Sequence, residues 1–580
     1  MSICKQLEKK NSASFLLGAV IGGVVFLCIF GAQTLDFTYV DWLLHSNDIE
    51  GSIDLTQHYL GWEFYRRTPW QFPLGLTEGI YWDKVSVIYT DSIPLFAFVC
   101  KLLSPVLPRD FQYFGLFGLL CYALLGGFGG LLIKKLTGSF FASAVASVLF
   151  VINPVLLNRM YLHTALSAHF LIVAAFCLWA YQKDLLPGKK IALWSLLLVC
   201  GTLINAYFTP MIFGILLASL LQEALEKKGK ITLKISVAII PVLLTVAAAF
   251  CFGAFYGDVP ASAGGLEVLS FNLNGFFNPF TYLTAFGRHT QGYRDMMYSA
   301  ILPGMALSTA YQNEGFSYMG LGVLVLGMID LILLIKERKK VAAKLSRPFV
   351  ISALVLCVGF TILALSPKCT LGEHVLYELH LPTLLHNMWS AFRSTARFIW
   401  VVYYFIIAAF VCLVTVAAEK PSEDDEKTPI SWGACFLVAV VVLQLVDLMP
   451  GYREKYEAFH SLTPYESPLQ SEEWASLGES ATQIIFYPDT YYGLYLDGKT
   501  STDFEIYALK HGLSLNNTYM SRNLCTQADE RTLSHFARRS NRESFPDVIY
   551  IFFDDTDYSS LPASYHLTYQ TLDGYLVGTE

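Results

Sequence analysis

Ile53-Asp54-Leu55-Thr56-Gln57-His58-Tyr59-Leu60-Gly61-Trp62-Glu63-Phe64-Tyr65-Arg66-Arg67 sets an Asp, a His, a Glu and two Arg among aromatic residues. It fills about four helical turns. The stretch lies just after the first long apolar run of a chain in which only 15% of residues are charged. It reads as an amphipathic helix lying on a membrane surface, with Asp54 at its leading end. The remainder of the chain then reads as scaffold, lid or groove for chemistry that Asp54 supports.

Composition sets the surroundings of that helix. At 580 residues the chain is too long for one ordinary domain. Its mean hydropathy is +0.46, and a soluble globule of that composition would expose far more apolar surface than soluble monomers tolerate. Apolar runs of about 18 residues or more, the length a bilayer core demands, recur over the first three quarters. A polytopic membrane protein follows. No basic footprint for nucleic acid is present. The cysteines fall mostly inside apolar runs without Cys-x-x-Cys spacing, which argues against a metal cluster or disulfide framework. Cys369 and Cys525 lie outside the runs and are placed to pair.

Lys5, Lys9 and Lys10 precede an apolar run over about 14–32 that ends in Gly31-Ala32-Gln33 with no clear cleavage pattern. It reads as a first transmembrane helix with its basic end in the cytoplasm, not as a signal peptide. Further spans are expected near 112–133, 139–157, 164–182, 190–206, 208–225, 233–256, 318–335, 348–366, 397–418 and 430–448, eleven in all. Charge tests this arrangement. Lys134-Lys135, Lys183 with Lys189-Lys190, Lys227 to Lys230, and the Lys336 to Lys340 run with Lys344 and Arg347 all fall in connections on the side of the N-terminus. The connection 419–427 is mixed and acidic. Residues 93–107, interrupted by Pro94, Lys101 and Pro105, are read as an interfacial or re-entrant helix, because a span there would turn those lysines outward.

The expected fold is therefore mainly α: a transmembrane bundle over 1–450 with extracytoplasmic loops 33–110, 257–316 and 367–395. A small extracytoplasmic α/β domain follows over 451–580. In that tail, Thr482–Tyr487, Asp547–Phe553 and His566–Tyr569 read as strands and Glu472–Leu477 as a helix. The location this implies is the plasma membrane, multi-pass, with a cytoplasmic N-terminus.

Several polar groups are candidates for chemistry. Asp54-Leu55-Thr56-Gln57 has the form of a capping box, with Asp54 at N-cap and Gln57 reaching back. A carboxylate so held also suits a general base or metal ligand, and His58 lies on its face one turn on. Arg159 and His163 share a face if helical, with His169 beyond. They are either functional groups at a membrane boundary or an Arg snorkelling beside a carbonyl-bonded His. Asp91 closes the first loop ahead of Pro94, as a helix start or a substrate contact. Arg288 and His289 lie in a polar, Gly-interrupted stretch that reads as a lid or substrate loop. Arg393 and Arg397, beside Trp389 and Trp400, sit where anionic headgroups lie, and suit phosphate binding or snorkelling. Asp554-Asp555-Thr556-Asp557 reads as a solvated acidic turn. P-loop, Gly-x-Ser-x-Gly, His-Glu-x-x-His and dinucleotide signatures are absent.

In Asp54…Tyr59, then Trp70-Gln71-Phe72-Pro73-Leu74-Gly75, then Asp91-Ser92-Ile93-Pro94-Leu95, the chain resembles the GT-C superfamily of membrane glycosyltransferases. It looks particularly like a functionally uncharacterised bacterial branch, in which Asp-x-x-Gln-His-Tyr-Leu-Gly-Trp, Phe-Gln-Tyr-Phe-Gly (111–115) and Arg-x-x-x-Arg-Phe (393–398) recur. The resemblance implies inverting transfer of a sugar from a polyprenyl-phosphate-linked donor to an extracytoplasmic glycan, lipid or protein acceptor. Asp54 would be the base, with His163 and Arg159 assisting. His58, Asp91, Arg288, His289, Arg393 and Arg397 would bind substrate. A divalent cation (Mg or Mn) is the candidate cofactor. The sequence departs from the pattern in following Asp54 with Leu55 and in carrying Arg159 and His163 where several members have an acidic residue. Alternatives are a transporter or flippase of lipid-linked saccharide, or a non-catalytic membrane scaffold with a wall-binding outer domain.

Overall fold

Nine helices are long and apolar enough to cross a bilayer among the residues that the computed structural model describes: 11–45, 53–257, 265–281, 296–419, 432–487, 501–522, 525–540, 544–552 and 567–580. They run Asn11–Phe30, Phe114–Thr137, Phe140–Arg159, Thr164–Tyr181, Pro187–Ile204, Phe208–Leu225, Ile231–Cys251, Arg347–Leu365 and Thr395–Ala417. Trp432–Asp447 and Met449–His460, bent by 56°, make a tenth if taken together. The set is compatible with a multi-pass membrane protein.

The count falls short of the expected eleven because the run expected at 318–335 is only the 16-residue helix Leu321–Lys336. At about 1.5 Å per residue it is shorter than a hydrocarbon core. It nonetheless joins both ends of the bundle. At one end the Tyr318 hydroxyl donates to Asp447 (2.6 Å); at the other, Lys340 Nζ donates to the Ala417 carbonyl (3.0 Å). The segment expected to be interfacial is the ten-residue helix Pro94–Leu103.

Close packing in the bundle rests on small residues. A Cβ on Gly18 would sit 2.2 Å from the Gly126 carbonyl oxygen, and one on Gly22 2.1 Å from that of Tyr122. The first two long helices therefore meet backbone to backbone, as apolar helices do when lipid offers no competing solvent contrast. The lysine clusters gather at one end, where Lys135 pairs with Asp184 (2.6 Å), Lys183 with Glu226 (3.1 Å) and Lys344 with Glu419 (3.2 Å).

The opposite end carries the first loop and the C-terminal domain. The helix Asp54–Arg67 forms as expected, with Asp54 in its first turn and Arg66 and Arg67 in its last, each favourable to the helix dipole. Thr68, extended as a residue before proline must be, ends it. The expectation of a surface-lying amphipathic helix is corrected, since every residue from Asp54 to Tyr65 is buried. Its polar groups are directed at protein instead of water. Thr56 donates to the Leu43 carbonyl, Trp62 Nε1 to Phe111 and the Tyr65 hydroxyl to Leu74. Burial at this cost is tolerable because those donors are satisfied.

The C-terminal domain is built on a five-stranded mixed sheet, ordered 568–572, 575–579, 548–552, 483–487, 514–515. Gln483–Tyr487 runs parallel to both of its neighbours, and the last hairpin closes the edge antiparallel. The expected strands appear over Gln483–Tyr487, Val548–Phe552 and Thr568–Leu572, and the expected helix over Glu473–Ser480. Strand Tyr575–Thr579 and helix Ser501–His511 were not legible. The domain docks on the first loop: Trp82 N–H donates to the Asn516 carbonyl (3.2 Å), Leu515 N–H to Gly79 (2.8 Å) and Thr518 Oγ1 to Gln57 Oε1 (3.1 Å). Cys369 is a free, buried thiol, and the side chain of Cys525, its expected candidate partner, lies outside the described residues.

Candidate active site at one end of the bundle

Asp54 enters the site from the first turn of its helix. Ile53, not Asp54, is the N-cap, and no side chain caps the helix. The capping box is thus corrected. Gln57 accepts from Thr518 of the C-terminal domain, which draws its amide away from the helix start. His58, one turn on, is buried, and that burial pushes its pKa down to about 3, so it is neutral at physiological pH.

Asp91 is presented by strained backbone. Asp91 (φ 52°) and Ile93 (φ 54°) both lie in the left-handed region, which a β-branched residue rarely adopts. Ser92 between them is pinned, its Oγ donating to the His58 carbonyl (2.6 Å). Strain held in this way is a mark of functional positions. The Asp91 carboxyl accepts from Asn205 Nδ2 (3.3 Å). Burial raises its pKa to about 7, with the Arg397 charge opposing and the Asp54 charge adding to the rise.

The third long helix breaks before its end. Asn153 caps a new turn by accepting from Leu156 N–H (2.8 Å), and Pro154 occupies its first position, giving the short helix Pro154–Arg159. Beyond it, Arg159 Nη1 lies 3.3 Å from His163 Nδ1. Both meet Glu314, delivered by the 3₁₀ turn Ala310–Gly315. Glu314 Oε2 pairs with Arg159 Nη1 (3.1 Å) and with Arg397 Nη2 (2.7 Å) and Nε (3.1 Å). Burial works against its ionisation, but the two guanidinium groups hold it well below the usual carboxylate range. His163 Nε2 stands 4.0 Å from both Asp54 Oδ2 and Glu314 Oε1, bridging the two carboxylates. Burial pushes His163 toward its neutral form, with Glu314 opposing. Arg397 also stacks over Tyr207, 4.6 Å from the ring centre.

Asp54, His58, Asp91, His163, Arg393 and Arg397 all line one open cleft of about 1150 Å³, counting the solvent at its mouth. Arg159 does not line it. It is buried behind the wall and connects to the cleft through His163 and, by way of Glu314, through Arg397. Arg288, His289 and the 554–557 acidic turn lie outside the described residues. Among the described residues no three His, Cys, Asp or Glu side chains group to hold a metal ion.

Sequence reasoning missed Glu314, Asn205, Tyr207 and Arg522. Glu314 could have been found as a carboxylate in a loop already assigned to the same side as Asp54. Asn205 and Tyr207 occupy the break between the helices Pro187–Ile204 and Phe208–Leu225, a break expected from the sequence although nothing there singled out these two side chains. Arg522 belongs to the C-terminal domain and carried no signal.

Residues 19–449 match the family model described as "Domain of unknown function (DUF6311)", and residues 473–580 match "DUF6311 C-terminal domain". The first match covers most of the chain, which therefore belongs to that family. No curated protein matches the chain.

Proposed function

We propose that this family member is an inverting membrane glycosyltransferase that moves a sugar from a polyprenyl-phosphate-linked donor to an extracytoplasmic glycan, lipid or protein acceptor. One observation carries the reading: a single cleft brings the carboxylates Asp54 and Asp91 together with the arginines Arg393 and Arg397 at the end of the bundle remote from the lysine clusters. With those lysines in the cytoplasm, the cleft opens on the outer face. Apolar Ile88, Pro94, Leu166 and Ile204 line the same cleft and suit a lipid-linked donor.

In this reading the acceptor hydroxyl attacks the anomeric carbon as its proton passes to the Asp54 carboxylate. The new C–O bond forms on the face opposite the phosphate. The bond between the anomeric carbon and the phosphate oxygen breaks, and its electron pair stays on that oxygen. Arg393 faces the negative charge that develops there. Arg397, neutralised and oriented by Glu314, positions it. Arg159 holds Glu314 and His163 in place and acts through them. Neutral His163 and His58 offer hydrogen bonds to sugar hydroxyls without adding charge.

The test is release of polyprenyl phosphate from a radiolabelled polyprenyl-phosphate sugar by purified protein in lipid nanodiscs. Asp54→Asn should abolish release while the protein stays folded. Equal release by Asp54→Asn sinks its role, and no release by the wild type with any acceptor fraction sinks the reading.

A flippase of lipid-linked saccharide has one observation in its favour. Asp330, in the Leu321–Lys336 helix, is buried with neither carboxylate oxygen hydrogen-bonded among the described residues, and ionisable groups inside bundles often mark transport paths. That reading predicts movement of intact donor across the nanodisc-equivalent liposome membrane without cleavage.

A further inference from the structure

We infer that the C-terminal domain supplies part of the active site, and that Arg522 is an anion-binding residue that grips the donor phosphate together with Arg393. The inference rests on the phosphate-linked donor proposed above and extends it to a residue of the second domain.

The segment from Asn516 to Arg522 leaves the sheet edge and runs along the cleft. It is tied down at each step. Thr518 bonds Gln57, and Ser521 donates to the Tyr89 carbonyl through both N–H (2.9 Å) and Oγ (3.1 Å). Tyr519, Ser521 and Arg522 line the cleft beside Tyr89 and Asp91. Arg522 Nη2 then donates to the Ala391 carbonyl (2.8 Å), two residues before Arg393. This bond fixes the guanidinium of one domain on the turn that carries an arginine of the other.

Two features point to an anionic ligand. Arg522 Nη1 is shielded from solvent and has no hydrogen-bond partner among the described residues. A buried donor left unsatisfied is costly, so an acceptor is expected there. The partner that Arg522 does have is a neutral carbonyl, whereas Arg397 is matched by the Glu314 carboxylate. A phosphate oxygen between Arg393 and Arg522 would satisfy Nη1 and meet the Arg522 charge, which no carboxylate among the described residues pairs with. The outer domain therefore acts as one jaw of the site, and donor binding depends on its docking.

The experiment measures binding of farnesyl phosphate to the full-length protein in detergent, with inorganic phosphate as a second arm. Arg522→Gln should weaken farnesyl phosphate binding about tenfold or more, the worth of a hydrogen bond to a charged group. Arg522→Lys should recover part of the loss, since it restores charge without the planar fork. Arg531→Gln, which removes the Arg531–Asp83 pair elsewhere in the domain contact, should bind as wild type. Wild-type affinity in Arg522→Gln, or an equal loss in Arg531→Gln, overturns the inference. If Arg393→Gln weakens binding and Arg522→Gln does not, only the present inference fails. If neither matters, the phosphate-donor reading fails with it. Loss of inorganic phosphate binding to the same degree supports the anion site and assigns it to phosphate alone; loss confined to farnesyl phosphate assigns it to a lipid headgroup.

Discussion

The two ends of the bundle handle charge in opposite ways. At the lysine-rich end two of the pairs between neighbouring helix ends are partly solvated, Lys183–Glu226 at 53% and 9% and Lys135–Asp184 at 31% and 54% side-chain exposure, while Lys190–Glu223 is more enclosed at 5% and 18%. At the site end the charges are contributed by segments distant in sequence and withdrawn from water: Arg159, Arg397 and Glu314 keep 2%, 11% and 18% of their side-chain exposure. Solvated pairs contribute little to stability, whereas a buried network is costly to break because each member depends on the others. The second end therefore holds a geometry that the first does not need.

The sharpest way to break that contrast is to remove the hub. Glu314→Ala leaves two buried guanidinium groups facing each other without the carboxylate they share. A loss of roughly 3–5 kcal/mol is expected, read as a large drop in apparent Tm in detergent, together with loss of transfer. Glu314→Gln should recover packing but not charge, and so stay destabilised. A Glu314→Ala protein as stable as wild type would mean that the network is not held as a unit.

A second effect lies at the domain contact. Glu505, buried between Thr518 and Gln57, has its pKa raised by burial from the ordinary 4.5 to about 7, with the bonds from Thr518 and Ser501 opposing. Between those values the folded chain keeps a proton that the unfolded chain releases, so stability falls as pH climbs through that window and levels off above it. Glu505→Gln mimics the protonated form. It should match wild type near about pH 4.5 and exceed it above about pH 7, by up to roughly 3 kcal/mol. The same Tm difference at both pH values would show that Glu505 does not titrate there.

Asp91 should give a smaller, functional signal. Its pKa of about 7 means that a phosphate arriving beside Arg393 and Arg397 meets a carboxyl close to half ionised. Two negative groups repel, so the protonated form should bind the anion better. Farnesyl phosphate affinity should weaken a few-fold as pH rises from about 6 to about 8, and Asp91→Asn should flatten the part of that slope that the ligand's own ionisation does not explain. An unchanged slope in Asp91→Asn removes Asp91 from contact with the anion.

Much of this was legible in the sequence, for reasons that differ by region. Apolar run length points to the helices long and apolar enough to cross a membrane, because it is a one-dimensional property of the sequence. The run expected at 318–335 folds as the shorter helix Leu321–Lys336, whose own Leu321 and Val323 N–H groups donate to Asp447 and Gln444. The polar helix at Asp54–Arg67 was visible as a helix but not as a buried one, since amphipathicity reports the presence of polar groups and not whether water or protein satisfies them. Asp54, Asp91, His163 and Arg397 could be picked out singly. Glu314 and Arg522 could not, because their importance lies in pairings across 83 residues to Arg397 and 131 residues to Ala391, which no local pattern encodes.

The smallest expected effect belongs to the lysine end, and it decides whether the contrast is one of kind or only of degree. Lys183→Ala removes a pair whose lysine is half exposed, 3.1 Å from Glu226. Glu226 retains Lys228 at 3.3 Å and the Gln222 amide at 2.8 Å, so no charge is stranded. The cost should stay within about 1 kcal/mol and shrink further in high salt, which screens solvated charges over a few ångströms. Glu314→Ala should respond less to the same salt, because its partners Arg159 and Arg397 are only 2% and 11% exposed. If Lys183→Ala proved as damaging as Glu314→Ala, or if salt rescued both alike, the two ends would share one electrostatic logic. The buried network could then no longer be taken as the mark of the site.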